Sequence, residues 1–415
     1  EECRVFLFGP DTLPDTPQSA LVGTESTEHV DATVSATQVE EGDAATVRAE
    51  LSSAGSANAK VSNAESVTPS ASTILLGESR GGAAVSYTPS IASNPHLMIV
   101  GLPGMGKTTC LINMCQQLSG AGIQPIVFSY HDDIDEQLSA ALPEVLFSDG
   151  RSLGFNPMRV TRTGTLAHVA SAGELRDIFS AIFPDLGELQ LEKLRSVIRT
   201  SYQEGGWGTG TATDLEPPAF RRFLELLRSQ PKPDKGTQTL LARLDELDDF
   251  GFFDSNHAAG SLLDATVPRV LQVHASGSEA LQRAYASFAL YRVYQDMFRR
   301  GRPERITHAI IFDEAHRAAK LKLIPTMAKE CRKYGIAMIV ASQEAKDFDA
   351  SMFSAIANYL VLRVTDQDAR ALARNVASSE TERRTIDRLK TLAKYEALYF
   401  AEGQRQAAHV RLSSA

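Results

Sequence analysis

The run Gly101-Leu102-Pro103-Gly104-Met105-Gly106-Lys107-Thr108-Thr109 constrains this chain more than any other segment, because it fills every fixed position of G-x-x-x-x-G-K-[S/T]. Residues 97–100, Leu-Met-Ile-Val, read as a short buried strand just before it. Apolar residues at Leu111, Met114, Cys115 and Leu118 predict a helix just after it. Strand, glycine-rich turn and helix in that order make a phosphate cradle. The glycines let the backbone turn tightly enough to aim successive N–H groups at phosphate oxygens, and the helix adds the positive end of its dipole. Lys107 brings a mobile cation toward the β and γ phosphates, and the Thr108 hydroxyl is suited to Mg²⁺. The ligands expected from this segment are a nucleotide and Mg²⁺.

A second segment supplies the complementary chemistry. Ala309-Ile310-Ile311-Phe312-Asp313-Glu314 is an apolar strand ending in two carboxylates, and parallel sheets place ligands at the carboxyl ends of their strands. Asp313 suits the Mg²⁺ shell through water, and Glu314 suits polarising an attacking water. Two adjacent buried carboxylates are costly without a cation nearby. Residues 336–341 form another apolar strand that runs into Ser342-Gln343, which places an amide where a γ-phosphate sensor or water-orienting group would sit. A helix start would use the same residue. Arg332, in Lys329-Glu330-Cys331-Arg332-Lys333-Tyr334-Gly335, is either the cation that a neighbouring subunit presents to developing phosphoryl charge or a surface salt-bridge partner.

Strand candidates at 125–129, 269–273, 306–312, 336–341 and 358–364, with helical patterns between them, predict an α/β fold: a RecA-like, doubly wound and mostly parallel sheet. Residues 165–265 read as an all-helical insertion, with apolar spacing at Leu175, Ile178, Phe179 and Ile182, then Leu191, Leu194 and Ile198, then Phe223, Leu224 and Leu227, then Leu240, Leu241, Leu244 and Leu247. The core would then comprise 73–164 and 266–415. Residues 74–77 and 83–87 around Gly81-Gly82 predict a hairpin, and 397–400 with 409–412 a second one at the edge of the sheet. Beyond a short strand candidate at 5–8, residues 10–72 are rich in Ala, Ser, Thr, Glu and Val. They read as an acidic, weakly ordered segment or as edge strands.

Residues 1–72 hold twelve acidic side chains and three basic ones, so they carry the whole net charge of −9 and the remainder is balanced. The overall acidity therefore excludes no nucleic-acid partner. Basic clusters at Arg299-Arg300-Gly301-Arg302, Lys320-Leu321-Lys322 and Arg383-Arg384 are candidate DNA contacts or ordinary solvated faces. The four cysteines, Cys3, Cys110, Cys115 and Cys331, have no metal-ligand or disulfide spacing, and the middle two fall on a helix core. No apolar run approaches a membrane span, which predicts a cytoplasmic protein. The start at Glu-Glu-Cys, without Met, reads as part of a longer protein.

The ordered set of segments resembles the HerA/FtsK superfamily of hexameric DNA-pumping ATPases, and its HerA branch in particular. The resemblance runs from about residue 74 to 411. It rests on the 74–77 hairpin, the phosphate loop, Asn156-Pro157, the helical insertion, Phe312-Asp313-Glu314-Ala315-His316, Arg332-Lys333-Tyr334-Gly335, Ala341-Ser342-Gln343 and Leu362-Arg363-Val364-Thr365-Asp366. Cys331 stands where that family usually has Gly, and the acidic head shows no clear β-barrel pattern of the kind expected before the ATPase. In texture the chain is most similar to the C-terminal ATPase of DptH-like proteins of phosphorothioate-dependent restriction systems. The resemblance implies an ATP-driven DNA translocase or helicase on duplex DNA, a homo-hexamer, a defence setting with a partner nuclease, hydrolysis by Lys107, Asp313 and Glu314, and Arg332 acting across the subunit boundary. An ATP-dependent switch gating a partner protein would use the same residues, as would a secretion-type motor. The lack of a membrane span counts against the last.

Overall fold

The structure, a computed structural model, describes residues 72–161, 164–209, 215–230, 234–253, 260–318, 323–348, 350–404 and 406–413. The strand candidate at 5–8, the tail 10–71, Cys3 and the Lys320-Leu321-Lys322 cluster lie outside the described residues.

Strands β1 (Ile74–Glu78) and β2 (Ala84–Tyr87) form the expected hairpin, and β3 (Leu97–Val100) enters α1 (Lys107–Gly120) through the glycine-rich turn. Next come β4 (Gln124–Ser129), α2 (Asp132–Ala141) and a three-residue strand, β5 (Leu146–Ser148). Four helices follow: α3 (Ala167–Ile182), α4 (Glu188–Glu204), α5 (Phe220–Arg228) and α6 (Lys235–Phe250). The chain then returns to the sheet with β6 (Arg269–Gln272), α7 (Glu279–Arg300), β7 (His308–Phe312), α8 (Ala315–Ala318), α9 (Leu323–Glu330), β8 (Ile336–Ser342), α10 (Ala350–Ala355) and β9 (Asn358–Val361). Helices α11 (Asp366–Val376) and α12 (Glu382–Thr391) precede the strands β10 (Glu396–Phe400) and β11 (Ala408–Leu412).

All eleven strands join one sheet in the order β2-β1-β11-β10-β9-β3-β8-β7-β4-β6-β5. From β9 to β5 every pairing is parallel, and the four strands beyond β9 pair antiparallel. Strands β3, β7 and β8 are apolar except for His308 at the start of β7 and Ser342 at the end of β8, because both faces are covered. Met98 and Val100 of β3 point into one core with Ile310 and Phe312 of β7 and Met338 and Val340 of β8. Leu97, Ile99, Ile311 and Ile339 point into the other. Helices α1 and α2 close the second core through Leu111, Met114, Leu118, Ile134 and Leu138, and α3 to α7 close the first.

The helices form where the spacing placed them. In α6, Leu240, Leu244 and Leu247 are fully buried, each contributing about 1.5–3 kcal/mol. The helix starts at Asp234, whose carboxylate accepts from the Thr237 N–H at 2.7 Å. In α7, Ser278 caps the Leu281 N–H, and Arg299 and Arg300 occupy the last turn before Gly301.

One placement differs from the sequence expectation. The final pair of strands is not the edge of the sheet, because β1 pairs antiparallel with β11 and puts the N-terminal hairpin outermost. Gly77 permits this contact. A Cβ there would lie 2.0 Å from the Arg411 carbonyl oxygen, so any other residue would push the two strands apart.

Candidate functional site

The parallel strands bring the loops after β3, β7 and β8 to one edge of the sheet. Val100 is in register with Ser342, and Phe312 with Val340. The loop after β3 is tied to its neighbours by backbone bonds: the Gly101 N–H donates to the Ser342 carbonyl at 3.3 Å, and the Leu102 N–H to the Arg363 carbonyl at 2.8 Å. Pro103 and Gly104 are exposed, Met105 is buried in the α1-side core, and Gly106, Lys107, Thr108 and Thr109 are half-buried. Gly104 and Gly106 hold φ of 74° and 110°, the left-handed values a phosphate loop needs. Gly106 is the N-cap of α1, so the free N–H groups of the helix start face the loop.

Lys107 turns back over this loop, and its ammonium donates to the carbonyls of Gly101 (2.6 Å) and Leu102 (3.2 Å). Burial lowers its pKa, and the nearby Glu314 carboxylate opposes that shift. The two groups are thus close enough to feel each other's charge. Asp313 is buried at the end of β7 and accepts from the Tyr130 N–H at 3.3 and 3.4 Å. Burial, with Glu314 next to it, pushes its pKa up to about 8 against the opposing pull of the Tyr130 N–H. A divalent cation relieves that situation by stabilising the ionised form. Thr108 and Asp313 offer one hydroxyl and one carboxylate, the sparse oxygen set that suits Mg²⁺ held mostly by phosphates and water. Among the described residues there is no cluster of three or more His, Cys, Asp or Glu side chains that would favour a different ion.

Gln343 meets the acidic pair directly. Its Nε2 donates to Glu314 Oε1 at 2.8 Å, while the preceding Ser342 donates to Asp347 at 2.5 Å. The structure therefore gathers Lys107, Asp313, Glu314 and Gln343 at one edge. It does not bring Arg332 there. Arg332 is exposed in the turn before β8, close enough to His96, which precedes β3, to lower that histidine's pKa. The seven residues of β8 separate Arg332 from Gln343, roughly 23 Å along the strand.

Two residues beside the site went unnoticed in the sequence. Tyr130 fixes Asp313 with its backbone and carries the Arg317 guanidinium 5.7 Å from its ring centroid. Both line a cleft of about 850 Å³ with Gln282, Arg283, Lys346 and Asp347. Their only sequence signal was position, since each lies within a few residues of a strand's carboxyl end. Of the candidate DNA contacts, Arg300 is occupied structurally, donating to the Tyr334 carbonyl (2.6 Å) and facing His308 Nδ1 (2.8 Å), and Arg299 lies 3.3 Å from buried Asp296. Arg383 and Arg384 line a shallow pocket of about 530 Å³ with Arg388, Glu380 and Asp387.

The sequence matches no family model and no curated protein. Solved structures do match the fold. VirB4 of Thermoanaerobacter pseudethanolicus superposes with a TM-score of 0.65 and 22% identity over 83% of this chain and 97% of that one. The bacterial conjugative coupling protein TrwB, in an unbound form, gives 0.55 and 12% over 82% and 88%. TrwB with ADP and Mg²⁺ gives 0.55 and 14% over 77% and 86%. The chain has the RecA-like P-loop ATPase fold. These likenesses establish architecture, and the site geometry above carries the chemistry. Among the described residues no helix is long and apolar enough to cross a membrane.

Proposed function

We propose that the protein hydrolyses ATP to ADP and phosphate, with Mg²⁺, as a motor that assembles into a homo-hexameric ring and moves DNA. The observation that carries the hydrolytic part of this reading is the hydrogen bond from Gln343 to Glu314 beside the lysine of the phosphate loop. It joins a residue positioned to sense the γ-phosphate to the carboxylate positioned to polarise water. Lys107 leaves the loop carbonyls for the β and γ phosphates, and the N–H groups at the start of α1 hold the phosphate chain. Glu314 orients the attacking water, and Gln343 holds Glu314 in place. Thr108 and Asp313 would hold Mg²⁺, which supplies charge neutralisation on the phosphates. Arg332, on the opposite edge of the sheet, serves a neighbouring subunit's site.

VirB4 and the conjugative coupling protein TrwB support a motor of the transfer or secretion type, moving DNA or protein between compartments. Structures of TrwB in complex with an ATP analogue, a GTP analogue and ADP with Mg²⁺ support the assignment of the nucleotide and the metal. The restriction setting with a partner nuclease, implied by the DptH-like resemblance, draws no support from these neighbours. The secretion-type motor, placed last on sequence, is the better supported second reading.

Steady-state ATP turnover with and without duplex DNA tests the proposal, using the wild type and Glu314→Gln. The variant should bind ATP and stall, and DNA should stimulate the wild type. Near-normal turnover by Glu314→Gln would overturn the site assignment. Turnover indifferent to DNA but changed by a protein partner would replace the DNA motor with a switch or a protein-secreting motor.

A further inference from the structure

Tyr395 is the one non-glycine residue among those described whose backbone is left-handed, with φ of 64°. That conformation costs a side-chain-bearing residue free energy and persists only where the surroundings impose it. Here they do so through the phosphate loop. The Tyr395 N–H donates to the Met105 carbonyl at 3.1 Å, and its own carbonyl accepts from the Leu412 N–H at 2.8 Å. The bend turns the ring onto Gly106. A Cβ on Gly106 would lie 2.6 Å from Tyr395 Cδ1 and 2.9 Å from Cε1, so the loop's last glycine accommodates the ring's edge as well as the loop's own turn. The Lys394 ammonium stands 4.9 Å from the ring centroid, and 39% of Tyr395 is nonetheless exposed.

Sheet order says which part of a nucleotide would reach this ring. Glu314 and Gln343, which would face the γ-phosphate, follow β7 and β8 on one side of β3. On the other side of β3 lies β9 and then β10. Because β10 runs antiparallel to β9, Tyr395, one residue before β10, sits at the same edge as the phosphate loop. A triphosphate whose γ end points at Glu314 therefore runs its nucleoside end toward Tyr395. We infer that Tyr395 is the platform on which the nucleotide's base stacks, with Lys394 covering the ring from the other side. The inference rests on the ATP reading above and adds the subsite for the base. A π-face accepts any purine, so the platform binds adenine and guanine nucleotides alike.

Equilibrium binding of ATP, GTP and inorganic tripolyphosphate to the full chain, in Mg²⁺, tests it with Tyr395→Asn and Tyr395→Phe. Asn tolerates the left-handed backbone and removes the ring. Tyr395→Asn should weaken ATP and GTP by roughly ten-fold or more and leave tripolyphosphate unchanged, while Tyr395→Phe keeps all three. Equal weakening of tripolyphosphate would mean that the ring only props the loop, and unchanged ATP affinity would mean that it touches no base. Either result overturns the inference. Tyr395→Trp gives an independent readout, because ATP and GTP should quench its emission and tripolyphosphate should not. The absence of that difference refutes the platform even if the Asn variant fails to fold. Wild-type protein that binds neither ATP nor tripolyphosphate would instead overturn the nucleotide reading itself.

Discussion

Replacing Gln343 by alanine isolates the contact on which the proposed chemistry turns. The Nε2 donor lies 2.8 Å from Glu314 Oε1, and a hydrogen bond to a charged group contributes about 1.5–3 kcal/mol net. If that bond holds Glu314 in the geometry needed in the transition state, its loss appears in the barrier. At about 1.4 kcal/mol per ten-fold in rate, kcat should fall by about ten- to one-hundred-fold. The KM for ATP should change little, because neither residue lies on the phosphate loop. Gln343→Asn keeps the amide but withdraws it by one methylene, and should fall between wild type and alanine. Gln343→Glu sets a second carboxylate against Glu314 and should be at least as damaging as alanine. The assay is steady-state ATP turnover across ATP concentration, with thermal unfolding as the control for folding. A kcat for Gln343→Ala within three-fold of wild type at an unchanged Tm would refute the positioning role and return Gln343 to the status of a residue that merely follows a strand.

Asp313→Asn should raise the Mg²⁺ concentration for half-maximal turnover by about ten-fold or more, and a titration that overlays the wild type would remove Asp313 from the metal's surroundings. His96 is buried, accepts at Nδ1 from the Met338 N–H at 3.0 Å, and has its pKa lowered to about 4, first by burial and then by Arg332. The unfolded chain takes up this proton near pH 6.5, so His96 leaves stability intact above that pH and erodes it as pH falls toward 4, by about 3 kcal/mol at the limit. Denaturant unfolding between pH 7.5 and 4.5 should show a shallower fall for His96→Asn, whose amide can still accept from Met338, and parallel curves would refute the assignment. Co-assembled Arg332→Ala and Glu314→Gln subunits should turn over ATP faster than either pure variant, since an arginine acting in trans is worth about 10³-fold or more in rate. No recovery in an oligomer verified to contain both would count against Arg332.

What could be read in advance followed the range of the interactions involved. The phosphate loop is a local object: strand, turn and helix occupy adjacent residues, so Gly101 to Thr109 declare themselves without tertiary information. The central strands were equally plain, because burial on both faces makes β3, β7 and β8 apolar apart from His308 at the start of β7 and Ser342 at the end of β8. By contrast, β5 passed unnoticed because it is three residues long and leaves Leu146 and Phe147 exposed, with no alternation to mark it. The expected edge position of the final pair of strands fails because strand order is a matter of non-local pairing, and the clue to it, Gly77 against the Arg411 carbonyl, has no meaning until residues 77 and 411 meet. The same holds for the site. Glu314 and Gln343 could each be picked out by position, but only the sheet brings them to 2.8 Å, and nothing near Tyr395 in sequence announces a phosphate loop.

The polarity of the parallel strands bears on assembly. Lys107, Asp313, Glu314 and Gln343 cluster at the carboxyl edge of the sheet, whereas Arg332 stands before β8 at the amino edge, roughly 23 Å away along the strand. An arginine side chain spans only a fraction of that distance, so Arg332 cannot serve the site of its own subunit by a rotamer change. A neighbour that uses it must set its carboxyl edge against this amino edge. A head-to-tail contact does so directly, and repeated with a closing rotation it makes a ring. A two-fold interface would instead have to bring both edges of each subunit into one patch. If Arg332 acts in trans, assembly and hydrolysis are one property. Turnover per subunit should then rise with protein concentration and level off as the oligomer fills, and turnover independent of concentration through the range where sizing shows monomer would leave Arg332 a surface residue.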